Sequence, residues 1–255
     1  MGISGLLLLV AFTFTASSIR NTRFSDATKS LENFIKNQYT RVQTNSLALN
    51  TPDGRRPVCS ASGAVQSIDS NASTGTSQTC VLLGAVLEFT PAVASTRNTI
   101  TIKPVLGYGL VSNRPLGEVN PQVWGESSEV HQLSWQSEIV TGRHFRTAAP
   151  QTIVNNVDRL IILRDTTSEQ INFYTTRVGS STLNLYDVVM AAQGITRNLP
   201  VLICISSPDG GSLRGAVRIN GTGTEYGQNI GAIVSSVVPT SQAFFGEYVG
   251  GFTCT

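Results

Sequence analysis

Four cysteines are the residues of this 255-residue chain whose types and positions most clearly point to chemistry: Cys59, Cys80, Cys204 and Cys254. They can form two disulfides in three pairings. Cys59 with Cys80 would close a short loop and Cys204 with Cys254 would tie down the C-terminal end, each stabilising by about 3–4 kcal/mol. Four buried free thiols are the alternative. The chain has no Cys-x-x-Cys pair and only two histidines, so we expect no zinc site.

Other patterns that could bind a ligand or catalyse a reaction are poor matches. The sequence contains no P-loop, HExxH, GxSxG or EF-hand pattern. Residues 221–227 miss the GxGxxG spacing by one position and are interpreted as a loop. His131 is expected to be structural, His144 to lie in a solvated basic loop, and Asp209 to be too isolated to bind calcium. We therefore expect no catalytic residue, no cofactor and no metal.

Charged residues are sparse and unevenly distributed. They make up 13% of the chain, about half the usual share. The formal net charge of +2 is too balanced to indicate a nucleic-acid partner. Residues 1–58 carry seven basic and three acidic residues, and the remainder carries eleven basic and thirteen acidic residues. Because 40% of the residues are hydrophobic, the chain can bury a core and is not a disordered protein.

The N-terminal segment is the most apolar part of the chain. Residues 2–19 contain no charge, which meets the lower limit for a helix that crosses a membrane. A cleaved signal peptide is the rival interpretation, but a basic n-region is missing and residues 16–18 are a poor cleavage site. We therefore predict a helix that is retained.

An amphipathic helical pattern follows directly. Residues 20–49 contain neither proline nor glycine, and Pro52 and Gly54 mark a stop. Apolar residues recur in steps of three and four, which places them on one helix face; they are Phe24, Ala27, Leu31, Phe34, Ile35, Tyr39 and Val42. The pattern predicts one helix to about residue 49, about 70 Å long. The alternative is a membrane anchor followed by a separate surface helix.

Beyond residue 54 the sequence is typical of short β-strands separated by turns. Residues 60–79 are expected to be a loop, and Leu133, Trp135 and Ile139 to share one face of a strand. A short helix is predicted to end near Gly194. The predicted strands are 80–89, 99–105, 130–140, 160–163, 171–177, 201–206 and 213–219, with hairpins joining the fourth to the fifth and the sixth to the seventh.

The predicted fold is therefore α+β, a long N-terminal helix followed by a mainly antiparallel β head with a disulfide-tied C-terminus. The domains are 1–50, the N-terminal membrane helix, and 51–255, the head, with two possible sub-lobes divided near 145–155.

The residues Ile3-Ser4-Gly5-Leu6-Leu7-Leu8-Leu9-Val10 resemble the glycine-and-leucine run of type IV pilins and pseudopilins. Residues 20–50 resemble the amphipathic half-helix of that family. The family's basic leader, its cleavage-site glycine, the first aromatic residue and the glutamate at mature position five have no counterpart here. We expect that Met1 lies within a longer precursor; otherwise the chain resembles a minor, tip-located pilin.

The resemblance implies a structural subunit, not an enzyme, of a type IV pilus or type II secretion-like filament. Its partners would be copies of itself or homologous subunits, an inner-membrane assembly platform and, before assembly, the lipid bilayer; the filament would lie at the cell surface. The implied filament-core residues are Gly5, Leu6, Leu7, Leu8, Leu9, Ala11, Phe12, Phe14 and Ala16, and the head-packing residues are Phe24, Leu31, Phe34, Ile35, Tyr39 and Val42. An anchored binding module or adhesin, and a secreted or anchored enzyme, are the alternatives.

Overall fold

A single helix, α1, forms the N-terminal part of the protein. The computed structural model describes residues 2–44, 55–59, 65–68, 80–89, 97–108, 121–144, 157–165, 169–177, 196–197, 201–207, 214–219 and 230–235. Helix α1 spans Gly2–Gln43 without a break, about 60 Å at 1.5 Å per residue. One continuous helix is therefore confirmed, although it ends at Gln43 and not near residue 49; Thr44 is already in a turn.

The described part of the head consists of β-strands and one short 3-10 turn. The strands are β1 (Arg56–Cys59), β2 (Val65–Ile68), β3 (Cys80–Phe89), β4 (Thr99–Tyr108), β5 (Gln122–Val123), β6 (Glu129–Gln132), β7 (Glu138–His144), β8 (Val157–Arg164), β9 (Ile171–Arg177), β10 (Thr196–Arg197), β11 (Val201–Ser206), β12 (Arg214–Ile219) and β13 (Ile230–Ser235). The predicted strands at 80–89, 99–105, 160–163, 171–177, 201–206 and 213–219 are thus confirmed to within a few residues.

The strands form three antiparallel sheets. The largest has the order β10-β9-β8-β3-β4-β5, with β6 also paired to β4. A second sheet has the order β13-β12-β11-β7, and β1 pairs with β2. Strands β8 and β9, and strands β11 and β12, pair antiparallel as predicted. The predicted division of the head into two sub-lobes near 145–155 lies outside the described residues. Strand β3, which precedes these residues in the sequence, pairs with β8, which follows them.

The segment after α1 contains a strand that the sequence did not reveal. Residues 65–68 form β2, opposite β1, so the prediction that 60–79 is entirely loop was wrong. Backbone pairing with β1 accounts for the strand, because these four residues lack a strong apolar pattern. Cys59, at the end of β1, is bonded to Cys80, at the start of β3, with Cα atoms 5.1 Å apart. Cys204 is also disulfide-bonded; Cys254, its predicted partner, lies outside the described residues.

The predicted single strand at 130–140 is interrupted. Leu133 and Ile139 are buried as expected, but Trp135 is 53% exposed and lies in a 3-10 turn over Ser134–Gln136. The chain passes here from β6, in the largest sheet, to β7, in the second sheet. The turn changes the direction of the chain between the two sheets and moves Trp135 out of line with its neighbours. The prediction of a shared face was therefore wrong for Trp135.

The main core lies between α1 and the two larger sheets. It combines apolar side chains of α1 with one face of β3, β4, β8 and β9 and with β11 and β12. The opposite face of the largest sheet carries a second buried cluster, which includes Leu83, Val86 and Ile161. Burial of both faces explains why β3 is apolar along most of its length. The helix predicted to end near Gly194 lies outside the described residues.

Candidate assembly interface

Helix α1 changes abruptly in exposure along its length. Residues 14–23 are all exposed, and the apolar side chains of Phe14 and Ile19 are 74% and 46% exposed. From Phe24 onward one face of the same helix is buried. We call residues 14–23 the stalk segment. Residues 2–13 continue it as helix, and their side chains, which include the remaining predicted filament-core residues, are outside the described set.

The second half of α1 is held in the head by its apolar face. Five of the predicted head-packing residues are buried, namely Phe24, Leu31, Phe34, Ile35 and Val42. Tyr39 is partly buried, and its ring stacks on that of Phe173 with centroids 5.8 Å apart. Each fully buried side chain of this size stabilises by about 1.5–3 kcal/mol. The head is therefore firmly attached to this half of the helix.

A glycine on β12 permits the close approach of α1 to the second sheet. A Cβ atom at Gly215 would lie 2.5 Å from Oγ1 of Thr28 and 3.1 Å from Cε1 of Phe24. Thr28 is fully buried, and its hydroxyl donates a hydrogen bond to the carbonyl of Phe24 at 3.0 Å. The helix therefore rests directly on the backbone of β12 at the point where it enters the head.

A row of four side-chain contacts, which we call the seam, joins α1 to the segment 129–135. The helix positions are separated by seven, four and seven residues, so they share one face. Their partners follow in reverse order, so this segment runs antiparallel to the helix. The four contacts are Arg23 with Trp135, Ser30 with Ser134, Phe34 with His131 and Arg41 with Glu129.

At the C-terminal end of α1 the seam is ionic. Arg41 donates from both terminal nitrogens to the two carboxylate oxygens of Glu129, each at 2.8 Å. These hydrogen bonds lower the pKa of Glu129 and raise that of Arg41. Because both side chains are partly exposed, the pair adds at most about 1 kcal/mol. Arg164 of β8 also donates a hydrogen bond to the backbone carbonyl of Gln43, at 3.5 Å. A basic side chain that pairs with a carbonyl of the last turn stabilises the C-terminus of the helix.

In the middle of the seam, His131 lies against α1. Its ring stacks on Phe34 with centroids 3.9 Å apart and 11° between planes. The buried Nε2 of His131 has no hydrogen-bond partner among the described residues. Burial lowers the pKa of His131, because a charged imidazolium would lose solvation there.

We expect this histidine to make stability depend on pH in the weakly acidic range. The folded pKa lies below the ordinary value of 6.5, so the unfolded chain takes up the proton first. The free energy of unfolding should therefore be highest above about pH 6.5 and fall as the pH drops from there to the folded pKa. Urea unfolding between pH 8 and pH 5 measures the effect. His131→Phe should flatten this profile and His144→Gln should not; an unchanged profile in His131→Phe would contradict the assignment.

The sequence patterns that were weighed for binding or catalysis are not assembled into a site by the described residues. No group of three or more His, Cys, Asp or Glu side chains there is placed to hold a metal ion. Residues 221–227 and Asp209 lie outside the described residues. His144 is the last residue of β7, where it pairs with Val201 of β11, so the prediction that it lies in a loop was wrong. Its side chain lies outside the described set. Among the helices that the structure describes, none is long and apolar enough to cross a membrane.

The seam was not anticipated from the sequence. Arg41 and Glu129 are 88 residues apart, and no local pattern connects them. The seven-four-seven spacing of the helix positions is the only sequence signal that they share one face. It is hard to recognise because arginine, serine and phenylalanine, which differ in polarity, occupy these positions.

No protein-family model, curated protein or solved structure matches this chain.

Proposed function

We propose that this chain is the structural subunit of a filament of the type IV pilin or pseudopilin kind and that it polymerises through α1. The observation that carries the proposal is the continuity of the helix, which passes unbroken from an exposed stalk segment into the core of the head. A helix with exposed apolar side chains at one end needs a covering surface. In a polymer that surface is α1 of neighbouring subunits.

Assembly by this route uses helix packing and no covalent chemistry. Gly5, Ala11 and Ala16 are small residues of α1 that would let neighbouring helices approach closely. Before assembly the apolar N-terminal end would be stored in the inner membrane, and the filament would then display the heads at the cell surface. A contact between different surfaces of successive subunits, repeated without closure, produces an open helical polymer.

In such a filament the head of each subunit must stay attached to α1, and the packing of α1 against the head provides this attachment. The apolar face from Phe24 to Val42 is buried in the main core, and the seam adds contacts along one edge of that face, where Phe34 belongs to both. Force applied to the helix is thus passed to both larger sheets. Displacement of the head would expose the buried helix face to water, which is unfavourable.

Reconstitution of the full chain tests the proposal. The chain purified in detergent should form sedimentable filaments, visible by negative-stain electron microscopy, when the detergent is removed. A chain that stays monomeric and associates only with lipid vesicles would contradict it and favour an anchored binding module. Mass spectrometry of the native N-terminus is an independent measurement, since an N-methylated terminus indicates pilin-type processing.

A further inference from the structure

Trp135 is an exposed tryptophan in an unusual backbone conformation. Its φ is 58° and that of Gln136 is 54°, so two successive non-glycine residues lie in the left-handed region. Such residues are strained and persist where the surroundings hold them. The result is an indole that is 53% exposed, between the buried side chains of Leu133 and Ile139.

Hydrogen bonds on both sides hold this turn in place. The Leu133 N–H donates to the Asn98 carbonyl at 2.7 Å, and the Ile139 N–H donates to the Arg97 carbonyl at 2.8 Å. The Ser134 hydroxyl donates to that of Ser30 on α1 at 3.2 Å. The backbone that carries the indole is therefore held on both sides, so less backbone entropy would be lost if a partner covered the indole.

The exposed indole is continuous with the stalk segment. The guanidinium of Arg23 lies over its ring, 4.8 Å from the centroid, and Arg23 is the last residue of α1 before the buried Phe24. Ile19 lies one turn earlier on the same helix face and is 46% exposed. Ile19, Arg23 and Trp135 thus form one surface, which we call the shoulder. Tryptophan and arginine are the residues that most often dominate binding at interfaces.

The charge balance of the chain favours a second copy as the partner of the shoulder. The stalk segment contains two arginines and no acidic residue, whereas residues 59–255 carry thirteen acidic and eleven basic residues. The positive shoulder of one chain is therefore opposite in sign to the net charge of the head of another, which favours association of the two. The Arg23 guanidinium is exposed, so its N–H groups can donate hydrogen bonds to a carboxylate of the partner.

We propose that the shoulder is the docking site for the head of a second copy of this chain. This inference rests on the proposed function, and it adds a head-to-shoulder contact to the helix-to-helix contact of the polymer. The two surfaces differ, so one chain can dock on a second through its head and accept a third at its shoulder, and the contact propagates along a polymer where this repeat does not close. The indole of Trp135 becomes buried in the contact, and the guanidinium of Arg23 meets a carboxylate of the neighbouring head.

The two tryptophans of the chain supply a direct test. Trp124 is 3% exposed and should resist quenching by acrylamide in every state, so the quenchable emission of the unmodified chain reports Trp135. The full chain is kept in detergent micelles, and its association is followed by sedimentation velocity at 50 and 300 mM NaCl. Association at low salt should remove most of the quenchable emission, and high salt should reverse both effects.

Two substitutions that each remove one positive charge from α1 distinguish a specific contact at the shoulder from a general effect of net charge. Arg23→Gln should weaken association by about tenfold, whereas Lys29→Gln, at another exposed position of α1, should weaken it less than about twofold. Association in which Trp135 stays as quenchable as in the monomer overturns the inference and leaves the proposed function standing. Association that buries Trp135 without filaments on detergent removal supports the inference and contradicts the proposed function, and no association under any condition overturns both.

Discussion

Gly84→Ala is expected to lower the free energy of unfolding by about 3 kcal/mol, at the upper end of the range for over-packed cores. Gly84 lies in β3, between β4 and β8, where the register with β4 shifts by one residue. A Cβ atom there would overlap the carbonyl oxygen of Ile162 and lie 2.8 Å from Cδ2 of Leu163. The Ile162 carbonyl is backbone of a central strand, so it cannot move without disturbing the pairing of β3 with β8.

Gly125→Ala is the matched control, because a Cβ atom at Gly125 meets nothing within 4 Å. The same chemical change should alter stability there by no more than about 0.5 kcal/mol. Urea unfolding of both variants, followed by circular dichroism, gives the comparison at constant pH. Equal unfolding midpoints for Gly84→Ala and the parent chain would show that β3 and β8 are not packed as closely as the structure indicates.

The parts of the fold that the sequence predicted are those set by local rules. Helix α1 follows from a long segment without proline or glycine and with apolar residues at helical spacing, and its buried residues occupy the expected face. The hairpin of β11 and β12 follows from two apolar runs around the Pro208-Asp209-Gly210 turn signal. The Cys59–Cys80 disulfide belongs to one of the three pairings that the sequence left open.

The parts that were missed depend on partners distant in the chain. Trp135 fits an alternating strand pattern, and only the passage of the chain from one sheet to the other displaces it. Residues 65–68 become a strand because β1 pairs with them. The placement of β8 beside β3 requires knowledge of which buried faces meet. The shoulder depends on both local pattern and distant contacts. The local sequence pattern places Arg23 in the helix, but Trp135 reaches Arg23 only because the strand is interrupted at 134–136.

Phe14→Asp is expected to abolish polymerisation while leaving the head folded. Phe14 is 74% exposed in the single chain, so its replacement removes no contact with the head. In a polymer held together by packed helices the new carboxylate would be transferred from water to an apolar contact, which costs several kcal/mol. A cost of about 2.7 kcal/mol per contact already raises the concentration needed for assembly about a hundredfold.

Asn37→Asp is the matched control for this prediction, because it adds the same negative charge at an exposed position of α1 within the head-packing half. It should leave filament yield in the pelleting assay within about twofold of the parent chain, since exposed charges contribute little. The unfolding midpoints of both variants should equal that of the parent chain, which separates a loss of assembly from a loss of folding. If Phe14→Asp pelleted as efficiently as Asn37→Asp, the stalk segment would not be buried in the polymer, and the assembly contact would have to lie elsewhere on the molecule.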